Sequence, residues 1–168
     1  QRFRDDGDDW TGEIATSLTA AKKLIECFAS QSDENNQNAI VIISSVASYF
    51  VAEDQPPSYH VAKAGLNQMV RYYAVTLGPK RIRINSVSPG PILKERAKPF
   101  YLQNERLFQQ YCSIIPLGRM GTPEDIGHIT AFLCSPKASF ITGQDIVADG
   151  GISLQMQESL GRQLLKNQ

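Results

Sequence analysis

An excess of charge of either sign is missing from this sequence: 17 Lys and Arg offset 17 Asp and Glu over 168 residues. A neutral chain has no global field to draw in nucleic acid or an anionic membrane, so neither is expected as a partner, and the partner is sought in a pocket. Cysteine is scarce too. Cys27, Cys112 and Cys134 are odd in number and widely spaced, which speaks against a disulfide framework or a metal knuckle. Lying in or beside apolar segments, they read as buried reduced thiols of a cytoplasmic protein. There are only two histidines, His60 and His128, and they lie too far apart for a metal-ligand pattern, so no metal is expected. His128, inside an apolar stretch, reads as a core or interface residue, and His60 as pointing away from its neighbour Tyr59. No apolar run approaches the roughly 20 residues that cross a bilayer, and Gln1 to Asp9 is too charged for a signal peptide. The chain opens without Met on a charged, loop-like stretch, Arg2 to Asp9, and reads as beginning inside a longer protein. Repeats, low-complexity tracts and linkers are also missing, so one domain over residues 1–168 is expected.

What is present alternates. Apolar residues at Ile14, Leu18, Leu24, Ile25 and Phe28 predict a helix from Thr11 to Ser30 with one buried stripe. Ala39 to Ile43 is an uninterrupted β-branched run, as in a strand covered on both faces of a parallel sheet. Two prolines make Val51 to Pro57 a loop, and helical spacing runs from Tyr59 to Leu77 before Gly78-Pro79 stops it. Arg81 to Val87 reads as a second strand, broken by Ser88-Pro89-Gly90-Pro91. A short helix is expected from Leu102 to Cys112. Thr122-Pro123-Glu124-Asp125 supplies an N-cap, a first-turn proline and first-turn acids, predicting a helix to about Cys134. Asp145 to Ala148 is a third strand, closed by Asp149-Gly150-Gly151, and Leu154 to Gln168 reads equally as an amphipathic helix or a frayed tail. Helices alternating with apolar strands indicate an α/β layered fold with a parallel sheet.

Tyr59 and Lys63 lie four residues apart on one helix face and can share a substrate. A phenol that ionises only near pH 10 is a poor acid or base at neutral pH, and an adjacent ammonium stabilises its phenolate. In open α/β sheets ligands bind beyond the carboxyl ends of the strands, where Ser44, Ser45 and the Pro89 to Ile92 turn also fall. The basic clusters Lys22-Lys23, Lys80-Arg81 and Arg83 read as solvated faces.

With these pieces in place the sequence resembles the short-chain dehydrogenase/reductase family. The matching motifs are the I-S-S strand end, Tyr59-x-x-x-Lys63 followed by Ala64, the R-I-N-x-V-x-P-G strand and turn, the P-x-x-I helix entry, and T-G-Q-x-I-x-x-D-G-G from Thr142 to Gly151. They occur in the family's order over nearly the whole chain. The resemblance implies a Rossmann-like doubly wound parallel sheet, here without its N-terminal βαβ units, and an NAD- or NADP-dependent oxidoreductase acting on a small carbonyl or alcohol substrate. Tyr59 would exchange the proton on the substrate oxygen, Ser45 would hydrogen-bond that oxygen, and Lys63 would also bind the nicotinamide ribose. Pro89, Gly90, Pro91 and Ile92 would lie along the nicotinamide, with Ile92 holding its carboxamide. Assembly as a homodimer or homotetramer is implied through the helices Thr11 to Ser30 and Tyr59 to Leu77, where Ala15, Ala20, Ala21, Ala62, Ala64 and Gly65 would permit close contact.

Departures from the family pattern shape further expectations. Ser45 and Tyr59 are fourteen positions apart, slightly more than usual, which places an insertion in the Asp54 to Pro57 loop. Ser48 is the alternative to Ser45. The family's active-site Asn, which helps hold a relay water, falls on Ser17, and a cofactor-contacting Thr is replaced by Lys94, read as a solvated charge. The glycine-rich dinucleotide turn is not found, so the NAD or NADP preference is not legible. A non-catalytic scaffold of the same fold is the second reading. Sugar-nucleotide epimerase or dehydratase chemistry is a third, disfavoured by the short Asp149-Gly150-Gly151 ending.

Overall fold

A computed structural model describes residues 7–33 and 35–166. Most of the charged opening stretch and the last two residues of the C-terminal segment lie outside them. The first helical arm begins where the Asp9 carboxylate caps the Gly12 amide at 2.9 Å. It runs as α1 (Trp10–Glu13), a π-helical segment (Ile14–Thr19) and α2 (Ala20–Gln31). Strand β1 (Asn38–Ile43) leads through a 3-10 turn (Val46–Ser48) and a loop to α3 (Pro57–Leu77), whose proline at the first position suits the unpaired amides of a helix start. Arg81, in the left-handed conformation, turns the chain into β2 (Ile82–Pro89). Then come α4 (Lys98–Gln103), α5 (Glu105–Ile114), α6 (Pro123–Cys134), β3 (Asp145–Ala148) and α7 (Gln157–Lys166).

The three strands form one parallel sheet in the order β1-β2-β3, with Ile42 opposite Ser86 and Ser88 opposite Val147. Side chains alternate along β2, and the alternation sorts the layers. Ile82 and Ile84 pack with Ile25, Ala29, Val70 and Leu77 of α2 and α3, forming the core on one face. Arg83 and Asn85 point to the other face, where Arg83 donates to the Leu133 and Ser135 carbonyls at the end of α6 and Asn85 to the Ile141 carbonyl. Helices therefore cover both faces of the central strand, as in a doubly wound α/β fold. Across α2 and α3, Tyr73 donates to Glu26 at 2.8 Å, and burial followed by that carboxylate pushes its phenol up to about 12.

Several expectations are corrected. Arg83 is not a solvated charge but a cap on α6, because the alternation of a buried strand turns it under that helix. Cys27 and Cys134 are exposed and Cys112 half-buried, all free thiols, so their burial is overturned. His128 is likewise exposed on α6 and is no core residue. β1 is half-covered rather than enclosed, since no described strand pairs with its outer edge and Ile43 stays 45% exposed. β2 continues through Ser88 and Pro89, and the single helix expected from Leu102 is two, separated at Asn104. The C-terminal segment takes its helical alternative as α7.

Candidate active site

The strand ends supply one wall and α3 the other. Ser44 extends the β1 ladder by donating its amide to the Val87 carbonyl at 2.8 Å, while its buried hydroxyl donates to the Lys63 carbonyl at 3.1 Å. That pair of bonds fastens the β1 terminus to the middle of the tyrosine helix. Ser45 follows in extended conformation and caps the 3-10 turn, its Oγ accepting the Ala47 amide at 3.1 Å. A hydroxyl has one hydrogen to donate. With Oγ already accepting from the backbone, the Ser45 hydrogen stays available to a substrate oxygen. Ser48, the alternative, is committed internally: its Oγ donates to the Ser45 carbonyl at 2.7 Å and accepts from Asn67 at 2.9 Å.

Tyr59 and Lys63 are both half-buried on α3, with the Lys63 Nζ 5.4 Å from the centroid of the Tyr59 ring. That ammonium also donates to the Ile43 carbonyl at 3.4 Å, which brings it to the end of β1. Burial pushes the Lys63 ammonium below its usual value; the Glu13 carboxylate opposes the shift and Lys94 adds to it. Glu13 and Lys94 therefore both lie within electrostatic reach of the site, although Lys94 is solvent-exposed as read. Ser17 sits in the π-helical segment, where the Ala20 amide donates to Ala15 five residues back. Its hydroxyl donates to Glu13 at 2.5 Å. Sequence reasoning expected no such segment; π turns carry an extra residue per turn and recur at functional sites.

The α1 arm and α3 lie side by side in parallel register. Asp8 accepts the amide and the hydroxyl of Ser58, and a Cβ on Gly65 would meet the Leu18 methyls at 3.0 Å. Between those two contacts Glu13 is level with Tyr59 and Lys63. His60 points away from Tyr59's crevice as read: its Nε2 accepts the Ala52 amide at 3.0 Å, so Nδ1 carries the proton and donates to the Pro56 carbonyl, also at 3.0 Å. One imidazole thus pins the longer loop between the serine turn and α3.

At the end of β2, Gly90 donates to Ala148 at 3.1 Å, and a Cβ there would lie 2.6 Å from the Asp149 Cβ. Asp149 is buried. Burial alone would raise its carboxyl, but hydrogen bonds from Ser153 and Gly151 hold it below the usual range. Ile92 forms a parallel bridge with Gly121 through Gly121 N–H to Pro91 at 3.0 Å and Leu93 N–H to Gly121 at 2.8 Å. Those bonds use the carbonyl before Ile92 and the amide after it. In extended backbone the Ile92 N–H and C=O then point the opposite way, a donor and an acceptor that match a primary carboxamide. A hollow of about 560 Å³ lies beside this turn, lined by Pro91, Ile92, Leu117, Val147 and Asp149 with the Arg119–Asp125 pair at its rim. Tyr59 and Lys63 do not line it. Among the described residues no cluster of three or more His, Cys, Asp or Glu side chains could hold a metal ion, and no helix is long and apolar enough to cross a membrane.

The residues missed by the sequence reading join the site from behind. Asp145 accepts from Tyr49 at 2.9 Å, Asn67 at 3.2 Å and Ser88 at 2.7 Å. Asn67 is four residues beyond Lys63, so the helical stripe of Tyr59 and Lys63 held a signal for it. Asp145 had none, because its partners lie 57 to 96 positions away.

Residues 3–153 match the family model described as enoyl-(acyl carrier protein) reductase. A tropinone reductase homologue of Arabidopsis thaliana is 35% identical over 147 residues, covering 88% of this chain and 56% of its own length. Dehydrogenase/reductase SDR family member 4 of Rattus norvegicus is 30% identical over 142 residues, covering 84% of this chain and 50% of its own length. The structure of a 4-hydroxyisoleucine dehydrogenase complexed with NADH superposes with a TM-score of 0.78 at 30% identity, covering 89% of this chain and 62% of that one. The chain thus spans little more than half the length of the curated relatives it matches. The order of strands, the serine turn, the Tyr59–Lys63 stripe and these likenesses agree: the chain belongs to the short-chain dehydrogenase/reductase family.

Proposed function

We propose that this chain carries the proton-transfer half of an NAD- or NADP-dependent oxidoreductase that interconverts a carbonyl and an alcohol. The observation that carries the reading is the Lys63 ammonium set 5.4 Å from the Tyr59 ring, beside the serine turn at the carboxyl end of β1. When bound, the nicotinamide supplies or accepts the hydride. Tyr59 gives its phenolic proton to the substrate oxygen in reduction and takes it back in oxidation, and Lys63 provides the positive charge opposite the phenolate. Ser45, whose Oγ is oriented by the Ala47 amide, donates to the same oxygen as negative charge develops there. The free N–H and C=O of Ile92 fit the carboxamide, with Pro89, Gly90 and Pro91 lying along the ring, and Lys63 fits the ribose hydroxyls. Ser17, hydrogen-bonded to Glu13, is assigned the step that exchanges the site's proton with solvent.

The whole protein is further proposed to be a homodimer or homotetramer with a small-molecule substrate. Leu24 and Phe28 on α2 and Tyr72 and Val75 on α3 are exposed apolar side chains that assembly would cover. Ala62 and Gly65 take no part in that surface: Ala62 is buried and Gly65 receives Leu18 of the same chain.

The test is Tyr59→Phe in the full-length protein, which removes one proton donor and almost no volume. Nicotinamide oxidation with a panel of ketones and aldehydes should fall by roughly 10²–10⁴-fold with the melting temperature unchanged. Near-normal turnover would remove Tyr59 from the proton-transfer role. Absence of any turnover in the parent protein would favour the non-catalytic scaffold.

A further inference from the structure

We propose that Asp145 is a positioning residue: a carboxylate behind the sheet end that fixes the direction of a hydrogen-bond chain ending at Ser45. The inference rests on the reading of Ser45 as a donor to the substrate oxygen. Asp145 is a pure acceptor when ionised. It takes hydrogens from three side chains on three elements: Tyr49 after the serine turn, Asn67 on α3 and Ser88 on β2. None of these donors is charged, and among the described residues no ion pair reaches Asp145.

The polarity of the chain follows from that acceptor. Facing a carboxylate, the Asn67 side chain must present its NH₂ group, and the same Nδ2 donates at 2.9 Å to Ser48. Ser48 Oγ, accepting there, sends its one hydrogen to the Ser45 carbonyl at 2.7 Å, which also accepts the Ser48 amide at 3.0 Å. Asn67 thus donates to both sides, to Asp145 on one and to Ser48 on the other, and Ser48 passes its own hydrogen on to Ser45. The arrangement leaves the buried Oδ1 of Asn67 without a partner. A buried orphan acceptor is unfavourable, and turning the amide over would aim that oxygen at the carboxylate instead. The carboxylate therefore holds the amide in an orientation that the amide alone would have no reason to keep. What this secures is the turn whose Ala47 amide orients Ser45 Oγ. Asn67, Lys63 and Tyr59 share one helix stripe, so the chain sets the serine turn relative to the residues it works with.

Asp145→Asn keeps the shape and removes the obligate acceptor, letting Asn67 and Ser48 reverse. In the full-length protein kcat should fall about tenfold or more, as small displacements of an aligned group do, with the nicotinamide KM little changed. Because Asp145 acts through Ser45, the loss should vanish in a Ser45→Ala background, making the double variant no worse than Ser45→Ala alone within about twofold. Tyr49→Phe, which removes one donor from a half-exposed ring, should show a smaller loss of the same kind. Full kcat in Asp145→Asn, or losses that multiply with Ser45→Ala, would overturn the proposal. Amide hydrogen exchange gives a readout that needs no turnover: Ala47, Ser48 and Tyr49 should exchange about tenfold faster or more in Asp145→Asn and faster in Tyr49→Phe. Unchanged protection in both overturns the anchoring even if the parent protein reduces nothing, a result that would sink only the activity reading.

Discussion

Lys63 is a cation held partly out of water, and its ordinary task as a surface charge is given up for its place beside Tyr59. With the folded value below the unfolded one, the unfolded chain binds more protons between the two, and stability rises with pH across that interval. At neutral pH the residue therefore weakens the fold. Lys63→Met should unfold at an equal or higher temperature than the parent at pH 7, and the margin should shrink as pH climbs toward the ordinary lysine range. The proposed nicotinamide-dependent turnover should be lost throughout. Calorimetry at several pH values checks this; a parent protein more stable at pH 7 would mean that the Nζ bond to the Ile43 carbonyl outweighs the burial. Ser45 makes a gentler bargain, since its hydroxyl caps a turn with one lone pair and keeps its hydrogen for the role proposed above.

Elements bring these residues together through a few close approaches. At Gly90 an added methyl would meet both Cβ and Cα of Asp149, at 2.6 and 2.9 Å. Gly90→Ala should part the ends of β2 and β3 and cost roughly 1–3 kcal/mol, read as a lowered denaturation midpoint of the full-length protein. Unchanged stability would show that the turn can shift freely. The element types were legible because α6 carries a strong start signal, α3 a Gly78-Pro79 stop, and β3 is bounded by turn residues; β3 and α6 fall where their patterns end, while α3 takes in Pro57 and Ser58 ahead of the predicted start. Other features left no local trace. The π segment preserves the apolar period on either side of it, so periodicity passes over it. Pro89 was read as a breaker, yet a strand's last residue needs no amide of its own and pairs with Ala148. The reading of Arg83 failed on composition, because a short basic cluster says nothing about which face a buried strand turns inward. Tyr59, Lys63 and the serine turn were found from spacing and resemblance, whereas Asp145 becomes visible only when strands far apart in sequence are laid side by side.

At the scale of the whole molecule the exposed apolar side chains of α2 and α3 form the face expected to meet another copy. Val75 is 76% exposed and Tyr72 62%. Val75→Glu in the full-length protein should convert the assembly to smaller species at micromolar concentration in light scattering, with the secondary structure unchanged. A parent protein already monomeric would refute this surface. The spacing along α3 also decides where the molecule can lengthen. Tyr59, Lys63 and Asn67 recur every four residues on a helix that turns about 100° per residue, so each step advances roughly 40° and the set fans out through about 80°. The fan lets one helix address the crevice with its first member and Asp145 with its last. A single residue inserted between them would swing the remainder by about 100° and part Tyr59 from the Asn67 contact with Asp145. The loop pinned by His60 carries no such angular constraint. Length variation in this part of the molecule belongs before Tyr59, in that loop.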